Sequence, residues 1–212
     1  MPYTHNPAIF DQEDYAAARG IVVTPEMGLS TDERWKMETE YLLPYLDRIP
    51  EGPVLDYGCG PGRLSEALNT YCLRDVIGVD TSHIMLQHAM QHLSGQNFAA
   101  MSPRMFNVLR RGGLQVSGAF SVWVLQHIPG RDLPGSLATV ARALPVGAPY
   151  IVVNNRTRFI PAVDEHGVRH WVSDGVDLDA HIIGAGFALE SEQDMPGHLC
   201  HDSWLRVYRR TA

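Results

Sequence analysis

The chain is short of cysteine, of positive charge and of long apolar runs, and each shortage closes off a class of protein. Its three cysteines, Cys59, Cys72 and Cys200, are scattered and odd in number, with no Cys-x-x-Cys pair, so neither a disulfide framework nor a thiolate zinc site is expected. Lysine and arginine total 17 against 24 aspartate and glutamate, a formal charge of −7. A protein that tracks nucleic acid carries a basic stripe, so no nucleic-acid partner is expected. No apolar run approaches the roughly 20 residues that a membrane span requires, and the N-terminus lacks a basic start followed by an apolar core. No membrane association is expected, and the expected location is the cytoplasm. Repeats, low-complexity tracts and linkers are missing as well. A chain of 212 residues, 45% hydrophobic and 19% charged, then reads as one domain, 1–212, able to bury most of its apolar surface.

What is present is concentrated between Pro53 and Leu68, P-V-L-D-Y-G-C-G-P-G-R-L-S-E-A-L. β-formers ending in Asp56 run into three glycines at alternate positions and then into a helical pattern, which predicts a strand, a tight turn around Cys59 and a helix start. Glycine at 58, 60 and 62 permits positive φ and lets a ligand approach backbone that a Cβ would obstruct. Two familiar turns are excluded. A dinucleotide fingerprint needs glycine where Arg63 stands, and a phosphate loop needs Gly-Lys-Ser/Thr. The pattern Asp-x-Gly-x-Gly-x-Gly at Asp56, Gly58, Gly60 and Gly62 resembles the class I S-adenosylmethionine-dependent methyltransferases.

That resemblance extends along nearly the whole chain after residue 30. It implies an α/β fold with a Rossmann-like seven-stranded sheet, an antiparallel last strand and helices on both faces. Residues 1–50 would form a lid or helical arm, and 51–212 the cofactor-binding core. Val76 to Asp80 reads as a second strand ending in an acid 24 residues after Asp56, the separation of two parallel strands joined by one helix. By the resemblance Asp80 accepts both ribose hydroxyls; the competing reading is a cap on the helix beginning near Ser82. Asp56 would serve the ammonium of S-adenosylmethionine, directly or through water. Thr81 and Met85 would pack on the purine, Met101 and Ser102 would meet the adenine, and Ser121 and Val122 would lie beside the methionine portion. The expected product is S-adenosylhomocysteine.

The acceptor is expected to be a small molecule, methylated on oxygen, by an enzyme acting as monomer or homodimer. A capping box at Ser30 and Glu33 opens a helix in which Arg34 or Trp35 could reach the pocket, and Tyr15 lies in the covering arm. Trp123, at the end of the fourth strand, would point toward the acceptor. The segment L-Q-H-I-P that follows carries His127, either a structural histidine or a general base. Between Asn155 and Asp174 a long polar segment holds Arg156, Arg158, His166 and His170, and should overhang the ligand edge. The connection D-M-P-G-H-L-C-H-D would bring His198, His201 and Asp202 to the same rim. Five of the ten histidines would then converge, as a titratable acceptor pocket, a metal site, or solvated loop residues. His127 and then His201 are the candidate bases. His88 and His92 are four apart on one helix with no third ligand suggested, so no metal is assigned.

Overall fold

In the computed structural model, which describes residues 4–23, 28–200 and 202–212, the chain begins with an arm. A two-residue strand, β1 (Thr4–His5), and a 3-10 turn at Pro7–Phe10 lead into α1 (Tyr15–Val22), where Asp14 caps the helix by accepting from Ala17 N. α2 (Thr31–Leu46) starts at the anticipated capping box: Ser30 Oγ accepts from Glu33 N, and the Glu33 carboxylate accepts from Ser30 N at 2.8 Å. Four-residue spacing then puts Arg34, Glu38, Leu42 and Leu46 on its buried face.

Strand and helix alternate from there: β2 (Val54–Tyr57), α3 (Arg63–Cys72), β3 (Val76–Val79), α4 (His83–His92), β4 (Phe98–Met101), α5 (Pro103–Arg111), β5 (Gly118–Val122), α6 (Leu133–Ala141) and β6 (Pro149–Asn155). These strands pair in parallel, so their C-terminal ends share one edge. After a hairpin, β7 (Ile160–Val163) and β8 (Arg169–Val172), come α7 (Leu178–Gly184), β9 (Phe187–Asp194) and β10 (Ser203–Arg210). β10 lies antiparallel between β6 and β9, completing the seven-stranded order β4-β3-β2-β5-β6-β10-β9. The expected sheet is therefore observed. Because β9 is antiparallel to β10, it points with the parallel strands, so its C-terminal end lies at the edge of the glycine turn.

The strands read as near-continuous apolar runs because both faces are covered. Val54, Phe120, Ile151 and Val153 pack against Leu42 and Leu46 of α2 and Leu64 and Leu68 of α3. Their neighbours Leu55, Ala119, Tyr150 and Val152 point the other way, onto Phe106, Leu133, Leu137 and Ile182 of α5, α6 and α7. Burying one such leucine contributes about 1.5–3 kcal/mol. Among the described residues no helix is long and apolar enough to cross a membrane.

Residues 155–174 are not the open polar loop that their composition suggests. β7 and β8 pair antiparallel, and β1 joins the other edge of β7 with Thr4 opposite Val163 and His5 opposite Ala162. The result is a separate three-stranded sheet. The partner that turns this insertion into sheet comes from the far end of the chain, which no local pattern announces.

Candidate active site

Asp56 lies opposite Gly78, and Tyr57 opposite Val79, so Asp56 and Asp80 end neighbouring strands on the same edge. The turn between them has positive φ at each of its three glycines, 87° at Gly58, 52° at Gly60 and 92° at Gly62. A Cβ on Gly58 would stand 2.2 Å from Val124 Cγ2, and one on Gly62 2.8 Å from Leu93 Cδ1. The first glycine thus lets the segment after β5 close on the turn, and the third lets α3 nest against α4. Gly58 N and Cys59 N both donate to Val79 O, and the Asp80 carboxylate accepts from Gly60 N and Ser82 N at 2.9 Å each. Burial pushes the Asp80 carboxyl upward, against the pull of those backbone donors.

A cavity of about 660 Å³ opens at this edge, within the usual range for small-molecule sites. Of the residues expected to bind the cofactor, Gly58, Gly60, Asp80, Thr81, Met85 and Val122 line it, whereas Asp56, Cys59, Gly62, Met101, Ser102 and Ser121 do not. The pleat explains two of the exceptions. Asp56 points to the face of Val54, is only 4% exposed, and accepts a 2.8 Å bond from Ser65 Oγ of α3. Burial raises its carboxyl to about 7, opposed by Ser65 and Arg63. Ser121 points to the opposite face, donating to Tyr57 O and meeting the Tyr150 hydroxyl at 2.9 Å. Ser102 is the N-cap of α5, its hydroxyl accepting from Met105 N, and Cys59 Sγ is buried against Gly60 O.

On the other side of the cavity, Trp123 follows β5 with φ of 61°, a costly conformation for a large side chain. It is held by Trp123 N donating to Val153 O and by its indole donating to the Glu38 carboxylate. Glu38 is 2% exposed, pairs with Arg63 at 3.1 Å and lines the cavity with Arg34, one helical turn before it. Sequence reasoning missed Glu38, although its four-residue spacing from Arg34 was available as a signal. Backbone strain of this kind concentrates at ligand sites.

His127 lines the cavity with both ring nitrogens engaged. Nδ1 donates to Phe159 O at 3.1 Å, and Nε2 accepts from Gln126 Nε2 at 3.1 Å. Gln126 is oriented for this because its Oε1 accepts from Asn155 N. Burial lowers the imidazole to about 4, partly offset by the bond to Phe159. The rings of Phe10 and Trp171 flank it at 5.3 and 5.2 Å. His5, also unanticipated, lines the cavity from β1 with Nε2 buried and unpartnered among the described residues, and burial lowers its pKa too.

Of the other acceptor candidates, Arg34 and Trp123 line the cavity. Arg34 Nη2 donates to Leu199 O at 2.8 Å. Trp35 instead lies beneath the guanidinium groups of Arg19 and Arg63, and Tyr15 packs on His88 and His92. Arg156 is exposed and committed to Glu192, Asp194 and Asp202, while Arg158 is buried against Asp174. The convergence of rim histidines does not form among the described residues. His170 pairs with Asp164 within the hairpin, His166 sits exposed at its turn, and His198 is exposed. His201, the second candidate base, lies outside the described residues. Among the described residues no group of three or more histidine, cysteine or acidic side chains is placed to hold a metal ion.

A family model described as a methyltransferase domain matches residues 54–147, from β2 through α6. A trans-aconitate 2-methyltransferase of Rhodopseudomonas palustris (strain HaA2) is 43% identical over 185 residues, covering 84% of this chain and 69% of that protein. Other curated proteins of that name are matched over less than half of their own length, 43% for the one from Agrobacterium fabrum. The CcbJ methyltransferase of Streptomyces caelestis shares the fold with a TM-score of 0.62 at 18% identity, covering 82% of this chain and 89% of that one. The glycopeptide N-methyltransferase MtfA, solved with S-adenosylmethionine, shares it with a TM-score of 0.63 at 12% identity, over 82% and 87% of the two chains.

Proposed function

The chain belongs to the class I S-adenosylmethionine-dependent methyltransferases, and from that premise we propose that it methylates a carboxylate oxygen of a small organic acid. The observation that carries this reading is the state of His127. A general base needs a free lone pair and a pKa near the working pH, and His127 has its lone pair on Gln126 and a pKa of about 4. An acceptor that must lose a proton is poorly served here. A carboxylate is already ionised at neutral pH and needs none removed. Trans-aconitate, for which the related proteins are named, is an anion of that kind.

The residues present suit the cofactor. Asp80 is pinned by backbone donors to both oxygens, and its remaining lone pairs suit a pair of ribose hydroxyls. Met85 and Val79 give the base an apolar wall, and Glu38 supplies on the cavity wall the acid that Asp56 does not. When bound, S-adenosylmethionine supplies an activated methyl on sulfonium sulfur. The protein contributes alignment and exclusion of water. Residues 51–212 act as the cofactor core and residues 1–50 as its lid; Phe10, Ile21 and Val22 of the arm form part of the cavity wall. Arg34 holds the acceptor carboxylate. Its guanidinium has five donors and can serve more than one acceptor.

Two results follow. Arg34→Gln should raise the acceptor KM about 10- to 100-fold with kcat little changed, the loss of one charge-assisted bond. Steady-state kinetics at saturating cofactor decide it, and an unchanged KM removes Arg34 from the acceptor site. His127→Gln should lower kcat/KM by the same factor at pH 6, 7 and 8, since a group that titrates near 4 is neutral throughout that window. A loss that grows from pH 6 to pH 8 would make His127 a base and the acceptor a hydroxyl.

A further inference from the structure

The structure assigns Gln126 the role of a positioning residue that locks His127 in one uncharged tautomer, and so confines the enzyme to acceptors that arrive already ionised. This rests on the carboxylate reading and deepens it. A hydrogen-bond chain runs through both side chains, and backbone groups that cannot exchange roles anchor its two ends. Asn155 N can only donate, so the side-chain oxygen of Gln126 faces it, at 3.0 Å. The Gln126 amide nitrogen is thereby left for His127 Nε2, at 3.1 Å. That amide nitrogen carries only donors, so the imidazole must offer it a lone pair. The ring proton then sits on Nδ1, where Phe159 O accepts it at 3.1 Å. Each link fixes the next.

Protonating the ring breaks this chain wherever the change is accommodated. A proton on Nε2 would set N–H against N–H across the contact with Gln126. Turning the Gln126 amide over would relieve that clash and create the same one at Asn155 N. Water has little access to relieve either, because Gln126 is 5% exposed. The main chain beneath is tied as well, since Gln126 N donates to Asn154 Oδ1 at 3.2 Å and Asn154 is fully buried at the end of β6. The surrounding charges act in the same direction. Arg158 and His5 both oppose a charge on the ring, and the flanking Phe10 and Trp171 bring none. Gln126 and His127 both line the cavity, so an acceptor meets a histidine whose lone pair is already taken.

The test is nitrogen NMR of the histidine rings in the full chain, with the His127 signals identified by their loss in His127→Gln. The wild type should show a bare Nε2 and a protonated Nδ1 from pH 6 to pH 8. Gln126→Glu offers a carboxylate to both Asn155 N and a protonated Nε2. Its His127 should carry both ring protons at pH 6, the pKa raised from about 4 to above about 6 by the opposite charge. Gln126→Ala frees the lone pair and should also raise that pKa. With labelled S-adenosylmethionine it should lift kcat/KM for phenol at least about tenfold over the wild type, the low end of what a base supplies. Melting curves confirm that each variant folds. A wild-type proton on Nε2, or wild-type titration of His127 in both variants, overturns the assignment. Phenol turnover no higher in Gln126→Ala than in the wild type overturns the confinement of the acceptor. Wild-type preference for phenol over trans-aconitate overturns the carboxylate reading instead, and the ring spectra still decide on Gln126.

Discussion

Asp80→Ala should weaken S-adenosylmethionine binding by about 100-fold or more, the largest loss expected of any single side chain at this site. A hydrogen bond to a charged acceptor contributes about 1.5–3 kcal/mol, and a carboxylate facing two ribose hydroxyls makes two. The substitution also releases Gly60 N and Ser82 N, which Asp80 holds at 2.9 Å, so the turn loses its anchor together with the ligand. Asp80→Asn separates the two contributions. An amide keeps one acceptor oxygen, so it retains one of the two anchoring bonds and an intermediate affinity is expected. Titration calorimetry with the cofactor, accompanied by a melting curve to confirm the fold, is the measurement. Wild-type affinity in Asp80→Ala would mean that Asp80 only caps the start of α4.

Gly58→Ala should destabilise the protein by about 2–5 kcal/mol, combining overpacking with the cost of a left-handed alanine. The added Cβ meets Val124 Cγ2 at 2.2 Å and Cγ1 at 2.4 Å, and φ is 87°. For a chain of this length each kcal/mol lowers Tm by about 2–4 °C, so a drop on the order of 10 °C is expected. The clash is removable and the backbone strain is not. Gly58→Ala combined with Val124→Ala should therefore recover stability beyond the sum of the two single changes, leaving about 1–2 kcal/mol of strain. Additive losses in the double variant would show that the two residues do not meet.

Part of this site is legible in the sequence. The alternation of Gly58, Gly60 and Gly62 announced a left-handed turn because other residues resist that conformation, and the capping box at Ser30 and Glu33 is where α2 begins. Asp80 could be placed from its separation to Asp56, since a parallel crossover through one helix constrains where the next strand ends. Misplacements arose where parity or distance decided. Asp56 and Ser121 were one pleat away from the cavity, and a side chain's face changes with every residue along a strand. Arg156, Arg158 and His170 were nominated as acceptor contacts from loop position, before their carboxylate partners were visible. Gln126 and Glu38 went unremarked because each matters through a group far away in sequence, the backbone N–H of Asn155 for Gln126 and the indole of Trp123 for Glu38.

The chain's own order of residues determined the sheet, the glycine turn and the acid that follows β3 at the cavity edge, because these follow from local conformational preference and from the short-range geometry of strand, helix and strand. Only the folded arrangement decided the acceptor side. There β1 reaches across to β7, His127 is buried into neutrality, and Arg34 is left as the cavity's cation among the described residues. Burial and pairing between distant segments set those properties, and neither is a local quantity.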